Sequence, residues 1–307
     1  MKLTILRSAV QCTVVLAAAG FTAAATGMAL WAQAPPATDP DEGTRQLWNQ
    51  EFLAARPGAR STAVPPSVGA KATTPKPAPA QPTQGMVGVT VWQLRKAQPA
   101  DDREIEIQAR DGDWTPVRAQ AGTPLRPGQK VRLGVESARS GYLYVIDREQ
   151  YADGTYGDPY LIFPVLRTRN GNNRVSAGRL IEIPGMQDDP RFFTIRPTRP
   201  DQTAELLMVL VTTAPLTEVK IGRDPLKLDR GQVDGWEKRF GTKVDKLETP
   251  VRVGQSYTRA EKDAAASETR LLTLDEPPPQ TLYRVEAKSG EPLLVNVPLR
   301  ISPAATQ

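Results

Sequence analysis

The stretch Gly141-Tyr142-Leu143-Tyr144-Val145-Ile146-Asp147 decides the fold of this chain. Aromatic and β-branched residues favour strands, and here both alternating faces are apolar. A second apolar run, Tyr160-Leu161-Ile162-Phe163, follows a polar loop. The pattern predicts two paired strands inside a sheet, joined by a long ordered loop from Asp147 to Pro159. Tyr142 and Tyr144 share one strand face, where they either pack in a core or offer an aromatic platform to a ligand.

Short strands continue on both sides of this pair. Turn signals recur about every 8–12 residues, which is typical of a β-sandwich. We therefore predict an all-β fold over residues 86–301, a β-sandwich of immunoglobulin-like or Greek-key type. Asn170-Gly171 is a hairpin-turn dipeptide, and Lys288-Ser289-Gly290 is predicted to join the strands of a closing hairpin.

A small helical insertion is predicted near the C-terminus, over about residues 231–268. Trp236-Glu237-Lys238-Arg239-Phe240 suits a short helix. Thr258 is a candidate N-cap for a second helix, and Glu261 three residues later completes a capping box.

Residues 1–34 have the pattern of a secretory signal peptide: a short basic start, an apolar run from Ala9 to Trp31, and small residues up to Ala34. Cleavage after Ala34 fits the small-residue rule, and Ala25 and Ala32 are alternative sites. The run is also nearly long enough to stay in the membrane as an anchor. We therefore expect an exported protein, periplasmic or extracellular, with a membrane tether if the segment is not cleaved.

Residues 35–85 change to a composition rich in Pro, Ala, Thr and Ser. Such a segment buries too little apolar surface to offset its ordering entropy, so we expect a disordered linker. A short helical island, Arg45 to Leu53, interrupts it and places Trp48 and Phe52 on one face. The island is either a transient helix without a partner or a docking motif for another protein.

Composition excludes several kinds of chemistry. The 307 residues contain no histidine and one cysteine, Cys12, inside the leader. Histidine-based catalysis, thiol nucleophiles and Cys/His metal sites are therefore not expected in the folded part. The formal net charge is +5, but acidic residues are interleaved with basic ones throughout, so no nucleic-acid partner is expected. No phosphate-binding glycine motif is present, and we expect no cofactor.

The polar loop after Asp147 is the candidate binding site. Rigid scaffolds often carry functional residues on such loops, so Tyr151 and Tyr156 are predicted as exposed aromatics and Asp153 and Asp158 as acceptors. In the alternative, both tyrosines fold back onto the sandwich and only close the loop.

The acidic residues of this region allow two other interpretations. Asp147, Glu149, Asp153 and Asp158 could supply oxygen ligands to Ca²⁺, but their spacing does not match the common calcium loop. Turn-forming aspartates explain the same pattern. Two carboxylates flanking a cleft could also hydrolyse a glycoside, but this requires a defined distance between the two carboxyl groups, which depends on the fold. No sequence pattern of a metal site or a catalytic site is present, so we predict no metal and no catalytic residues.

Four motifs in order resemble a bacterial family, domain of unknown function 4384. They are the stretch from Gly141 to Ile146 with Phe163-Pro164, Asn173 to Gly178, Ile183-Pro184, and Gln280 to Arg284. The resemblance extends from about residue 86 to residue 301. It implies an accessory domain but no particular activity.

These patterns lead to one expected function and two alternatives. We expect an exported, non-catalytic β-sandwich module that binds an envelope protein or glycan. The first alternative is a carboxylate- or metal-dependent enzyme acting on an envelope polysaccharide. The second is an assembly protein that works through Trp48 and Phe52.

Overall fold

The computed structural model describes residues 84–249, 252–267, 272 and 276–303. These residues form two antiparallel sheets with two short α-helices, which confirms the predicted all-β fold. The predicted leader, and the linker up to residue 83 with its Trp48/Phe52 island, lie outside the described residues. The first strand begins at Gln84, inside the predicted linker range. In the described part of the chain, no helix is long and apolar enough to cross a membrane.

One sheet has eight strands and its central strand is β1 (Gln84–Lys96). The other members of this sheet are β2 (Ile107–Ala109), β3 (Gly112–Arg118), β4 (Lys130–Ser137), β8 (Leu180–Ile183), β9 (Phe193–Thr194), β12 (Val244–Glu248) and β13 (Thr281–Glu286). Strands β13 and β3 pair along one edge of β1, and β4 pairs along the other.

The six strands of the second sheet are β5 (Gly141–Tyr151), β6 (Tyr160–Phe163), β7 (Arg174–Val175), β10 (Gln202–Thr212), β11 (Leu226–Lys227) and β14 (Leu293–Arg300). Their order is β11-β6-β5-β10-β14, and β7 also pairs with β5. Strand β5 lies between β6 and β10, as expected for a strand that is apolar on both faces.

The two faces of β5 belong to two different apolar clusters. Leu143 and Val145 lie in the core between the sheets. Tyr144 and Ile146 point to the opposite face, where they pack under helix α1 (Arg230–Phe240). The Tyr144 hydroxyl accepts a hydrogen bond from the Leu216 amide at 2.8 Å. Tyr144 therefore serves packing, the first of the two alternatives raised by the sequence.

Both helices of the predicted insertion are present. Helix α1 is longer than predicted and is capped by Asp229, whose carboxylate accepts from the Gln232 amide. Helix α2 (Arg259–Ala266) begins with the predicted capping box of Thr258 and Glu261. Residues 244–248 between them form strand β12, which pairs with β13. The insertion is therefore not purely helical.

Both hairpin predictions are wrong. Strands β13 and β14 flank Lys288-Ser289-Gly290, but β13 pairs with β1 and β12 whereas β14 pairs with β10. The connection thus crosses from one sheet to the other. Asn170-Gly171 does form a turn with positive φ angles, but β6 and β7 on either side of it both pair with β5.

The outer face of the eight-stranded sheet carries a buried ionic cluster. Arg132 on β4 lies 2.8 Å from Glu182 on β8, and Arg118 on β3 lies 2.9 Å from Glu261 on α2. All four side chains are buried. Through Arg118 and Glu261, this cluster fixes helix α2 against the sheet.

Candidate functional site

A cleft of about 500 Å³ opens where β5 ends and β6 begins. We call it the tyrosine–carboxyl cleft. It is lined by three tyrosines, by three carboxyl side chains of β5 and β10, and by two arginines: Tyr151, Tyr156, Tyr160, Asp147, Glu149, Glu205, Arg199 and Arg230. Of the four residues predicted to bind a partner, Tyr151, Tyr156 and Asp158 line this cleft and Asp153 does not.

Asp153 shapes the loop that borders the cleft. Its Oδ1 accepts hydrogen bonds from the amide of Thr155 at 2.9 Å and from the hydroxyl of the same residue at 2.7 Å. Gly154 beside it has a φ of +82°, which glycine adopts without strain. The loop is therefore ordered by its own polar groups, and Asp153 has a local turn role.

The three tyrosines of the cleft differ in exposure. Tyr151 is only 8% exposed, its hydroxyl donates to the Glu149 carboxylate, and the Arg199 guanidinium lies 3.9 Å from its ring centroid. Tyr156 is 39% exposed and Tyr160 is 42% exposed. The prediction of an exposed aromatic is therefore wrong for Tyr151, which folds back and closes the loop, whereas Tyr156 and Tyr160 remain accessible to solvent.

The Asp158 carboxylate pairs with two basic side chains. It forms ion pairs with Lys227 and, at 2.8 Å, with Nε of Arg230. Hydrogen bonds from these two cations lower the pKa of Asp158 below its usual value. Asp158 therefore acts mainly by placing the Arg230 side chain at the cleft, where the guanidinium retains other N–H donors.

A carboxyl pair lies deeper in the cleft, between adjacent strands. Glu205 on β10 is directly opposite Glu149 on β5, and Asp147 lies two residues before Glu149, so all three side chains share one face. The carboxyl groups of Asp147 and Glu205 hydrogen-bond each other, and Asp147 Oδ1 and Glu205 Oε2 are buried and receive no hydrogen bond from any other described residue. Gln202 Nε2 donates to the other oxygen of Glu205 at 2.9 Å.

Burial makes this pair hold protons at neutral pH. Desolvation, with repulsion from Glu149, raises the pKa of Asp147 to about 7. Desolvation, with repulsion from Asp147, raises the pKa of Glu205 to about 8. Because the two groups interact, they titrate as a pair rather than independently. At least one proton therefore stays on the pair near neutrality, and one carboxyl can donate while the other accepts.

Sequence reasoning missed Glu205, Tyr160 and Arg230 as cleft residues. The signal for Glu205 was a single acid inside the apolar strand from Ala204 to Val211, because a glutamate side chain is rarely buried unless it has a partner. Nothing in the sequence pairs it with Asp147, because that contact depends on the register of β5 and β10.

The acidic residues do not assemble into a metal site. In the ranges that the structure describes, no group of three or more Asp, Glu, His or Cys residues is placed to hold a metal ion. The Asp153 carboxylate accepts a hydrogen bond from Thr155, and the Asp158 carboxylate forms ion pairs with the side chains of Lys227 and Arg230.

Protonation of the pair predicts how stability changes with pH. In the unfolded chain both carboxyls titrate near about pH 4, so between about pH 4 and 8 the folded state holds more protons. The free energy of unfolding should then fall as pH rises, by about 1.4 kcal/mol per pH unit for each such proton. Thermal melts between about pH 5 and pH 8 measure this slope.

Glu205→Gln isolates the contribution of the pair, because the amide of a glutamine side chain does not titrate in this pH range. The slope is expected to be shallower in this variant. Glu248→Gln, at an exposed strand position, is the matched control and should retain the wild-type slope. Burial also raises the pKa of Glu182, which adds a slope of the same sign in all three proteins. Identical slopes for wild type and Glu205→Gln would contradict the assignment.

Comparison with family models, with curated proteins and with solved structures finds no match for this chain. The resemblance to domain of unknown function 4384 therefore stays a prediction from the sequence motifs.

Proposed function

We propose that this chain is an exported, non-catalytic β-sandwich module that binds an envelope glycan or protein through the tyrosine–carboxyl cleft. The observation that supports this most is the placement of two exposed aromatic side chains, Tyr156 and Tyr160, in one cleft with several carboxyl groups and two arginines. Tyrosine rings supply large contact area with little rotamer entropy to lose. Export is supported by the leader pattern of residues 1–34.

The polar groups of the cleft favour a ligand that both donates and accepts hydrogen bonds. The carboxyl groups that line the cleft are acceptors, and the exposed Arg230 guanidinium supplies donors. Hydroxyl groups of a sugar satisfy both requirements, as do polar side chains of a protein. An apolar ligand would displace water from the accessible polar groups of the cleft without replacing its hydrogen bonds, at a cost of about 1–3 kcal/mol each.

The double variant Tyr156→Ala with Tyr160→Ala tests this proposal. Binding of the full chain to a panel of envelope polysaccharides, peptidoglycan among them, is measured by co-sedimentation and titration. We expect the affinity to fall about tenfold or more, because hot-spot aromatics contribute at least about 2 kcal/mol. The melting temperature should change by only a few degrees, because both rings are exposed.

Leu166→Ala is the matched control, since Leu166 is also an exposed large apolar residue and does not line the cleft. It should leave binding unchanged. If the panel shows no binding, affinity capture from envelope fractions tests for a protein partner, and the tyrosine variant must fail to capture it. A partner retained equally by the variant would contradict the proposal.

A second candidate function is a carboxylate-dependent enzyme acting on an envelope polysaccharide. The raised pKa values of Asp147 and Glu205 favour it, because acid–base catalysis requires one protonated and one ionised group near neutral pH. The same panel separates the two candidates. Release of reducing ends that disappears in Asp147→Asn supports the enzyme, and binding without product supports the module.

A further inference from the structure

A second cleft, of about 900 Å³, is lined by the turn of the β2–β3 hairpin and by residues 187–196. We call it the arginine cleft, because Arg110, Arg191 and Arg196 line it. We propose that it binds an acidic saccharide, through oxyanion groups such as the carboxylates of uronic acids. This site is separate from the tyrosine–carboxyl cleft and does not depend on the function proposed there.

Lys130, the fourth basic residue that lines the arginine cleft, already has partners. Lys130 Nζ lies 2.5 Å from Asp111 Oδ2, 4.0 Å from the ring centroid of Trp114 and 5.0 Å from that of Phe192. Lys130 and Asp111 therefore neutralise each other and fix the wall of the cleft. Phe192 also lines the cleft and is half-buried, so part of its side chain stays accessible beside the Lys130 ammonium.

The carboxylate of Asp188 also has hydrogen-bond partners within the protein. Its two oxygens accept hydrogen bonds from the amides of Arg169 at 2.8 Å and Gly185 at 2.6 Å. These amides hold the Asp188 carboxylate in place, but it keeps its charge. The lining therefore has four basic and three acidic side chains, a formal net charge of +1.

The three arginines have no such partners. Arg110, Arg191 and Arg196 form no ion pair and no side-chain hydrogen bond with any residue that the structure describes. Each guanidinium presents five N–H donors in a planar fork that matches a carboxylate, sulfate or phosphate group. Exposed arginines alone are common on protein surfaces, but three in the lining of one cleft of ligand size fit a ligand with several oxyanions.

The surroundings favour a saccharide over a membrane or a nucleic acid. The exposed large apolar side chains of the described residues all lie outside the arginine cleft, so an apolar anchor for a lipid surface is missing there. Asp111, Asp188 and Asp189 interrupt the basic residues, whereas a phosphate backbone favours a continuous basic stripe.

The test is titration of the full chain with an oligogalacturonate, a polymer of uronic acids, and with a neutral maltooligosaccharide. We expect binding of the acidic probe alone. Arg110→Ala with Arg191→Ala should weaken it about tenfold or more, since each replacement removes charge-assisted hydrogen bonds. Arg196 is left intact, because Thr198 and Arg199 just after it line the other cleft.

The matched control is Arg223→Ala with Arg300→Ala, which removes two exposed arginines outside this cleft. The control should bind the acidic probe as the wild type does, and so should the Tyr156/Tyr160 variant. If both double variants bound the oligogalacturonate equally weakly, the loss would come from net charge alone, and this would overturn the proposal. Binding of anionic phospholipid vesicles without binding of the oligogalacturonate would overturn it as well.

Discussion

Replacing Arg132 by alanine should lower the free energy of unfolding by about 3–5 kcal/mol, because it leaves a buried carboxylate without its counter-charge. Arg132 is 0% exposed, and its Nη2 lies 2.8 Å from Glu182 and 2.9 Å from the Pro184 carbonyl. Its guanidinium also lies 6.0 Å from the ring of Tyr257, which packs edge-on against Trp92. For a domain of this size the melting temperature should fall by about 6–20 °C.

Two further variants show whether the lost ion pair is the cause. Lys246→Ala breaks the exposed pair with Glu248 and should change stability by less than about 1 kcal/mol. Arg132→Met with Glu182→Leu removes both charges and should recover most of the loss, because buried pairs are often replaceable by apolar side chains. Denaturant unfolding of the full chain measures all three.

The deficit of Arg132→Ala should also depend on pH. Burial raises the pKa of Glu182 already in the wild type. Without Arg132, protonation of Glu182 relieves the buried charge, so the deficit should be larger at about pH 8 than at about pH 5. A variant within about 1 kcal/mol of wild type at both pH values would show that the cluster contributes no more than a surface pair.

Replacing Leu143 by alanine should lower the free energy of unfolding by about 2–5 kcal/mol, the range measured when a buried leucine leaves a cavity. Leu143 is 0% exposed and lies in the core between the two sheets, with Val145 on the same strand. Because β5 is an interior strand, its neighbours on both sides restrict how far the site can collapse.

Leu166→Ala is the same chemical change at a position that is 49% exposed. It should alter stability by no more than about 0.5 kcal/mol. Urea unfolding of the two variants compares them directly, since the removed atoms are identical. Equal effects at the two positions would contradict the placement of Leu143 in the core.

Some features of this protein follow from the sequence alone because their causes are local. The capping box of Thr258 and Glu261 involves residues three positions apart, so helix α2 could be predicted to start where it does. Strand β5 was recognisable because a run that is apolar on both faces must be covered on both faces. The turn role of Asp153 toward Thr155 is equally local.

Other features were decided by the tertiary structure. Strand alternation shows that β13 and β14 each have a buried face, but it does not show which sheet each strand joins, and the predicted hairpin was therefore wrong. Residues 244–248 became a strand because β13 offered a free edge.

The two clefts depend most on tertiary structure. Asp147 and Glu205 are ordinary acids in the sequence, and their raised pKa values arise only from the pairing of β5 with β10 and from burial. Arg110 and Arg191 line one cleft because a hairpin turn and a distant loop lie side by side there. Sequence patterns report periodicity and local capping, whereas side chains from distant segments come together only through strand pairing and packing.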